Sequence, residues 1–141
     1  NRVSRNQIMA IKEESVTEQK NSLAVCLDNI LRHAGITRNT EYDLAQGKTA
    51  TTILSENMTG VQVLDLSGCT LDAVLYYVNQ DIPVLAILED GEAVLVTGFN
   101  EFNVVIMEPA TGKLYKKGMN DATAWFAENG NHFITYMRTE N

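Results

Sequence analysis

The chain has 141 residues, 45% apolar and 21% charged, with 11 Lys and Arg against 18 Asp and Glu, a formal charge of −7. One globular domain of that size buries about two-thirds of its unfolded surface, enough for a core without metal or disulfide staples. The acidic balance argues against nucleic acid and anionic lipid as partners, because both need a positive field, and no run of five or more Lys and Arg occurs.

No apolar stretch approaches the ~18 residues of a membrane span, and no charged segment followed by an apolar one opens the chain, so no membrane insertion by this domain is expected. The chain begins at Asn1 rather than Met, as expected of a piece of a longer protein. Two cysteines, Cys26 and Cys69, and two scattered histidines, His33 and His132, are too few for a zinc site. The glycines match neither phosphate-binding spacing. Neither a metal nor a cofactor is expected.

Residues 1 to 20 are mostly polar with sparse apolar positions, which reads as a weak helix or an arm ending in a loop. Asn21 or Ser22 then precedes Leu23, Leu27, Ile30, Leu31 and Ala34, the spacing of one helical face, and Gly35 stops it. Shorter helices are predicted over 40–46, ended by Gly47, and over 50–57, with Thr49 as N-cap and Gly60 beyond. Val61, Val63 and Leu64 suggest an extended segment. Ser67 or Thr70 caps a helix in which Leu71, Val74, Leu75 and Val78 share a face.

After Pro83 the pattern changes to apolar runs over 84–88, 93–96 and 104–107, separated by Glu89-Asp90-Gly91 and Gly98-Phe99-Asn100 as turns. Such runs predict antiparallel strands buried on both faces. A short strand through Leu114 and Tyr115, a helix capped by Asn120 or Asp121 and ended by Gly130, and a last strand through Phe133, Ile134 and Tyr136 complete the chain. Helices first and strands second is the α+β pattern.

Several strings resemble the papain-fold cysteine peptidases, in particular the branch that processes bacteriocin precursors at double-glycine leaders. That branch opens a helix with Cys-Gly-Pro-Ala-Ala and reaches a Gly thirteen residues after the Cys; here Gly35 stands thirteen after Ser22, with Leu27 and Leu31 on the apolar helix positions. Where the branch has Pro-Val, Gly-His-Ala-Val, Gly-Tyr and Asp-Pro, this chain has Pro83-Val84, Gly91-Glu92-Ala93-Val94, Gly98-Phe99 and Glu108-Pro109. The resemblance spans about residues 16 to 138. It implies a papain-like domain over 21–141, with the helical half packed on a small, mostly antiparallel sheet and residues 1–20 as an arm or connection.

The departures fall on the chemistry. By this correspondence the nucleophilic Cys becomes Ser22, the His becomes Glu92 and the orienting Asp becomes Glu108. Leu23-Ala24 replace the Gly-Pro, and Val16 stands where a Gln would help to hold an oxyanion, with Gln19 too near to substitute. Papain-type catalysis needs a thiolate at a helix N-terminus and an imidazolium facing it. A serine hydroxyl needs a strong base, and a carboxylate with reference pKa ~4.3 is a poor one.

Relocated machinery is the alternative. Cys26 lies one turn beyond Ser22, about 6 Å along the helix, and Cys69 precedes a helix start where a dipole lowers thiol pKa values, with His132 as the base for either. Against this, a lone Cys is usually buried, and a Cys26–Cys69 bridge is open as well. His33 stands about 10 Å beyond Cys26 along the helix, too far for a direct hydrogen bond. Glu89, Asp90 and Glu92 read as a solvated hairpin tip, and Tyr76, Tyr77, Trp125 and Phe126 as core or core edge rather than a ligand groove.

The expectation is therefore a catalytically degenerate peptidase-like domain that binds an extended peptide or a protein partner, within a larger bacterial protein at or outside the cell surface. An active thiol peptidase using Cys26 or Cys69 with His132 is the competing enzyme reading. A structural spacer whose cleft has closed is the third.

Overall fold

A computed structural model describes the backbone of residues 7–8 and the chain from 21 to 139. Of the expected N-terminal arm, Gln7–Ile8 forms strand β1; Val16, Gln19 and the other residues up to 20 lie outside the described residues. The helical half comprises α1 (Ser22–His33), α2 (Thr40–Ala45) and α3 (Ala50–Asn57), followed by β2 (Val61–Asp65) and α4 (Leu71–Val78). Then come β3 (Val84–Ile87), β4 (Ala93–Phe99), β5 (Asn103–Glu108), β6 (Lys113–Gly118), α5 (Met119–Glu128) and β7 (His132–Arg138).

Local chemistry sets most of these ends. Asn21 is the N-cap of α1, its side-chain oxygen accepting from the amides of Leu23 and Ala24 at 2.8 and 3.4 Å, so Ser22 is the first helical residue. Thr49 caps α3 by accepting from the Thr52 amide, and Thr70, not Ser67, caps α4 by accepting from the Ala73 amide. Ser67 instead donates to the Asp65 carboxylate. Helix α5 departs from expectation: it starts two or three residues early, at Met119, with Gly118 as its cap and no side-chain cap bond from Asn120 or Asp121. The preceding strand supplies the reason, since β6 runs to Gly118, opposite Asn103, and leads straight into the helix, where the Met119 amide donates to Phe102 O.

The sheet order is β2-β7-β3-β4-β5-β6, antiparallel throughout, with β1 pairing β4 at Gly98 and Phe99. Gly98-Phe99 is therefore strand rather than the expected turn. A register shift between Val96 and Gly98 lets β4 continue alongside β5, and Asn100 then makes the turn by accepting from the amides of Phe102 and Asn103. Every residue of β4 is buried, as the continuous apolar run predicts for a strand covered on both faces.

Helix α1 contributes Leu27, Ile30 and Leu31 to the core, and α4 contributes Leu71, Val74, Leu75 and Val78. Phe126 of α5 meets Phe133 of β7 edge-on, ring centres 5.3 Å apart. Tyr76 is exposed against the edge of Tyr77, and Lys117 lies over the half-buried Trp125. These aromatics line no groove together: Phe126 is core and Tyr76 faces solvent. No described helix is long and apolar enough to cross a membrane.

Candidate functional site

The N-terminal end of α1 meets the start of β4. Ser22 Oγ accepts the Ala93 amide hydrogen at 2.9 Å, across 71 residues of sequence, so the start of α1 and the β3–β4 hairpin are neighbours. The β3–β4 hairpin is closed by Leu88 N–H to Glu92 O at 2.7 Å and Gly91 N–H to Leu88 O at 2.9 Å, with Gly91 at φ 88°, where a Cβ would be strained. Asp90 accepts from the Glu92 amide, and Asn129 accepts from the Glu89 amide, which ties the hairpin to the end of α5.

Among the described residues, the side chains at this end form no catalytic relay. Ser22 has the Ala93 amide for a partner and no described base; Glu92 is exposed and its carboxylate takes no hydrogen bond from the described residues. Glu108 ends β5, where its side chain accepts from Thr111 Oγ1 at 3.1 Å and so fastens its own turn rather than orienting residue 92. A helix N-terminus favours an anion there, but a neutral hydroxyl whose oxygen is already holding an amide is not activated by it.

The relocated candidates form no hydrogen-bonded pair among the described residues. Cys26 is completely buried in α1, and burial pushes its thiol far above the ordinary range, so it carries no thiolate and faces no solvent. Cys69 is half-buried just before α4, and both thiols are free. The chain around Cys69 does run beside β7, with Leu66 N–H bonded to Phe133 O and Gly68 N–H to Asn131 O, yet no hydrogen bond joins Cys69 to His132. His132 opens β7 opposite Ile87, and its electrostatic effect falls on Asp65, whose carboxyl is held below the usual range chiefly by the Ser67 hydroxyl and amide.

A solved structure from Bacillus anthracis, assigned as a C39-like peptidase, superposes on this chain with a TM-score of 0.75 at 12% identity, covering 95% of this chain and 98% of that one. The fold is that of a C39-like peptidase. Neither a protein-family model nor a curated protein sequence matches the chain. Within this fold the start of α1 and the β3–β4 hairpin lie together, joined by Ser22 and Ala93.

A second polar region lies at the other end of α1. There His33 Nε2 stands 3.2 Å from the Asp81 carbonyl and 3.5 Å from its carboxylate, beside a cleft of about 550 Å³ between α1, the α3–β2 loop, the end of α4 and the end of β7. Sequence reasoning missed this cleft. Its residues come from four separate segments and share no spacing, so only the folded chain brings them together.

Proposed function

We propose that this is a catalytically degenerate cysteine-peptidase-like domain that serves as a binding module for an extended peptide or protein partner, within a larger bacterial protein. The observation that carries the reading is the Ser22–Ala93 hydrogen bond. It holds the start of α1 against the β3–β4 hairpin, and in this reading the hydroxyl at the thiol's position is committed to a backbone amide while Glu92 offers no imidazole. Attack on a peptide carbonyl needs a deprotonated nucleophile and a proton donor for the leaving amine, and the described residues at this end supply neither.

The test incubates the full chain with a peptide spanning a double-glycine leader sequence. Mass spectrometry is expected to find no cleavage, while the amide resonances of Leu23 and Ala93 shift on titration. Cleavage that disappears in Ser22→Ala or in Cys69→Ser would overturn the reading in favour of an enzyme, and an absence of shifts in favour of a spacer. The triple variant Ser22→Cys, Glu92→His, Glu108→Asp is expected to cleave poorly, because Val16 and Leu23-Ala24 still replace the Gln and the Gly-Pro. Brisk cleavage by it would show that the rest of the site is intact.

A further inference from the structure

The cleft at the C-terminal end of α1 holds a polar group that has no partner among the described residues. Tyr136 is 3% exposed, its ring packed in the core, and its hydroxyl makes no hydrogen bond with any described residue, although no fully buried side-chain oxygen or nitrogen in the described chain lacks one. That hydroxyl therefore opens on the cleft that Tyr136 lines. Burial raises the Tyr136 phenol above its ordinary value, so the group stays protonated and can donate. Arg138 stands two residues along β7 and close enough to act on that phenol electrostatically; its Nη1 donates to the Gln80 carbonyl at 3.1 Å, which leaves the remaining guanidinium donors for another partner.

The other charges narrow what fits. His33 is committed to Asp81, and Asp81 sits at φ 66°, a left-handed position closing α4 that Asp tolerates. An isolated cation is disfavoured by Arg138, and a dianion such as a phosphate ester by the Asp81 carboxylate. A single negative charge that accepts from both a guanidinium and a phenol is favoured. The apolar wall of Ile36, Met58 and Val61 suits a hydrocarbon body, and a volume of about 550 Å³ suits a small molecule or the last residues of a peptide.

We propose that this cleft binds a small monocarboxylate with an apolar body, Arg138 and the Tyr136 hydroxyl holding the carboxylate and Ile36, Met58 and Val61 covering the body. The site is separate from the Ser22 end, at a distance of about 17 Å along α1, and stands or falls independently of the peptide-binding reading. A free amino acid and a peptide C-terminus present the same chemistry, and the test separates them.

N-acetyl-L-leucine is titrated into the full chain while the amides of Ala34, Gly60 and Val61 are followed by NMR, with N-acetyl-L-leucinamide as the uncharged control. The acid is expected to shift these amides and the amide control to leave them unmoved. Arg138→Gln is expected to weaken the acid about tenfold or more, and Tyr136→Phe about threefold, without lowering the thermal midpoint, since that hydroxyl bonds nothing in the free protein. Tighter binding of free leucine than of N-acetyl-leucine identifies an amino acid site, with Asp81 taking the ammonium group; tighter binding of a peptide ending in leucine identifies a C-terminus site. No shift at up to about 10 mM acid, equal shifts by the control, or undiminished binding in both variants would overturn the proposal.

Discussion

At its N-terminal end α1 meets β4 through Ser22 and Ala93, and at its C-terminal end it meets the close of α4 through His33 and Asp81. Both junctions join distant segments by one side chain to one backbone group. They differ in what is left over. At the first, the Ser22 oxygen is used by the fold, and the charge beside it, Glu92, points into water. At the second, a protonated phenol and part of a guanidinium remain unused on the wall of a cleft. At the Ser22 end the side-chain oxygen is thus taken up by the fold, whereas the His33 end keeps donors without a partner among the described residues.

The comparison is most strongly tested between the two ends. Leu27→Ala removes a fully buried side chain midway along α1 and is expected to cost about 2–5 kcal/mol, with both junctions loosening together in hydrogen exchange. Loosening of only one end would show that the two junctions are not coupled through α1. Ser22→Ala leaves the Ala93 amide without its acceptor and is expected to cost about 1 kcal/mol, read by denaturant unfolding and by faster exchange of that amide, with Ala34 and Val61 unaffected.

Cys26 is expected to resist iodoacetamide at pH 7 to 9 in the native protein and to react only at the rate of unfolding, as mass spectrometry would show. Rapid native labelling at Cys26 would reopen the relocated-nucleophile reading. Beyond the open end of α1, Arg38 forms a two-pronged ion pair with the buried Asp43 of α2, at 2.7 and 2.8 Å, and this pairing holds the Asp43 carboxyl below its usual value. The stabilisation is present above the ordinary carboxylate pKa of about 4 and is lost as pH falls through the depressed one. Asp43→Asn should therefore flatten the fall in stability on the acid side, and an unchanged acid profile would count against the pairing. The smallest effect is expected for His33→Gln, a few tenths of a kcal/mol by thermal unfolding, because its bond to Asp81 lies partly in water and an amide can replace it.

Much of this architecture is legible in short stretches of sequence. Asn21, Thr49 and Thr70 cap their helices by reaching amides two or three residues away, and the apolar spacing of Leu27, Ile30 and Leu31 names the face of α1 that is buried. Where reading failed, a longer-range pairing had intervened. Gly98-Phe99 reads as a turn, but pairing with both β5 and β1 holds it extended, and α5 begins early because β6 delivers the chain to it. Within the candidate site, the identities of Ser22, Glu92 and Glu108 were readable, whereas the turn-fastening role of Glu108 needed the Thr111 contact.

The sequence by itself determined the helices and most strands, because caps, periodicity and side-chain identity act within a few residues. The tertiary structure alone decided that β7 lies between β2 and β3, that Ser22 spends its oxygen on an amide 71 positions away, and that His33, Asp81, Tyr136 and Arg138 surround one cleft. Those are pairings between segments far apart in the chain, fixed by which buried faces and backbone groups can be satisfied simultaneously, and no local pattern encodes them.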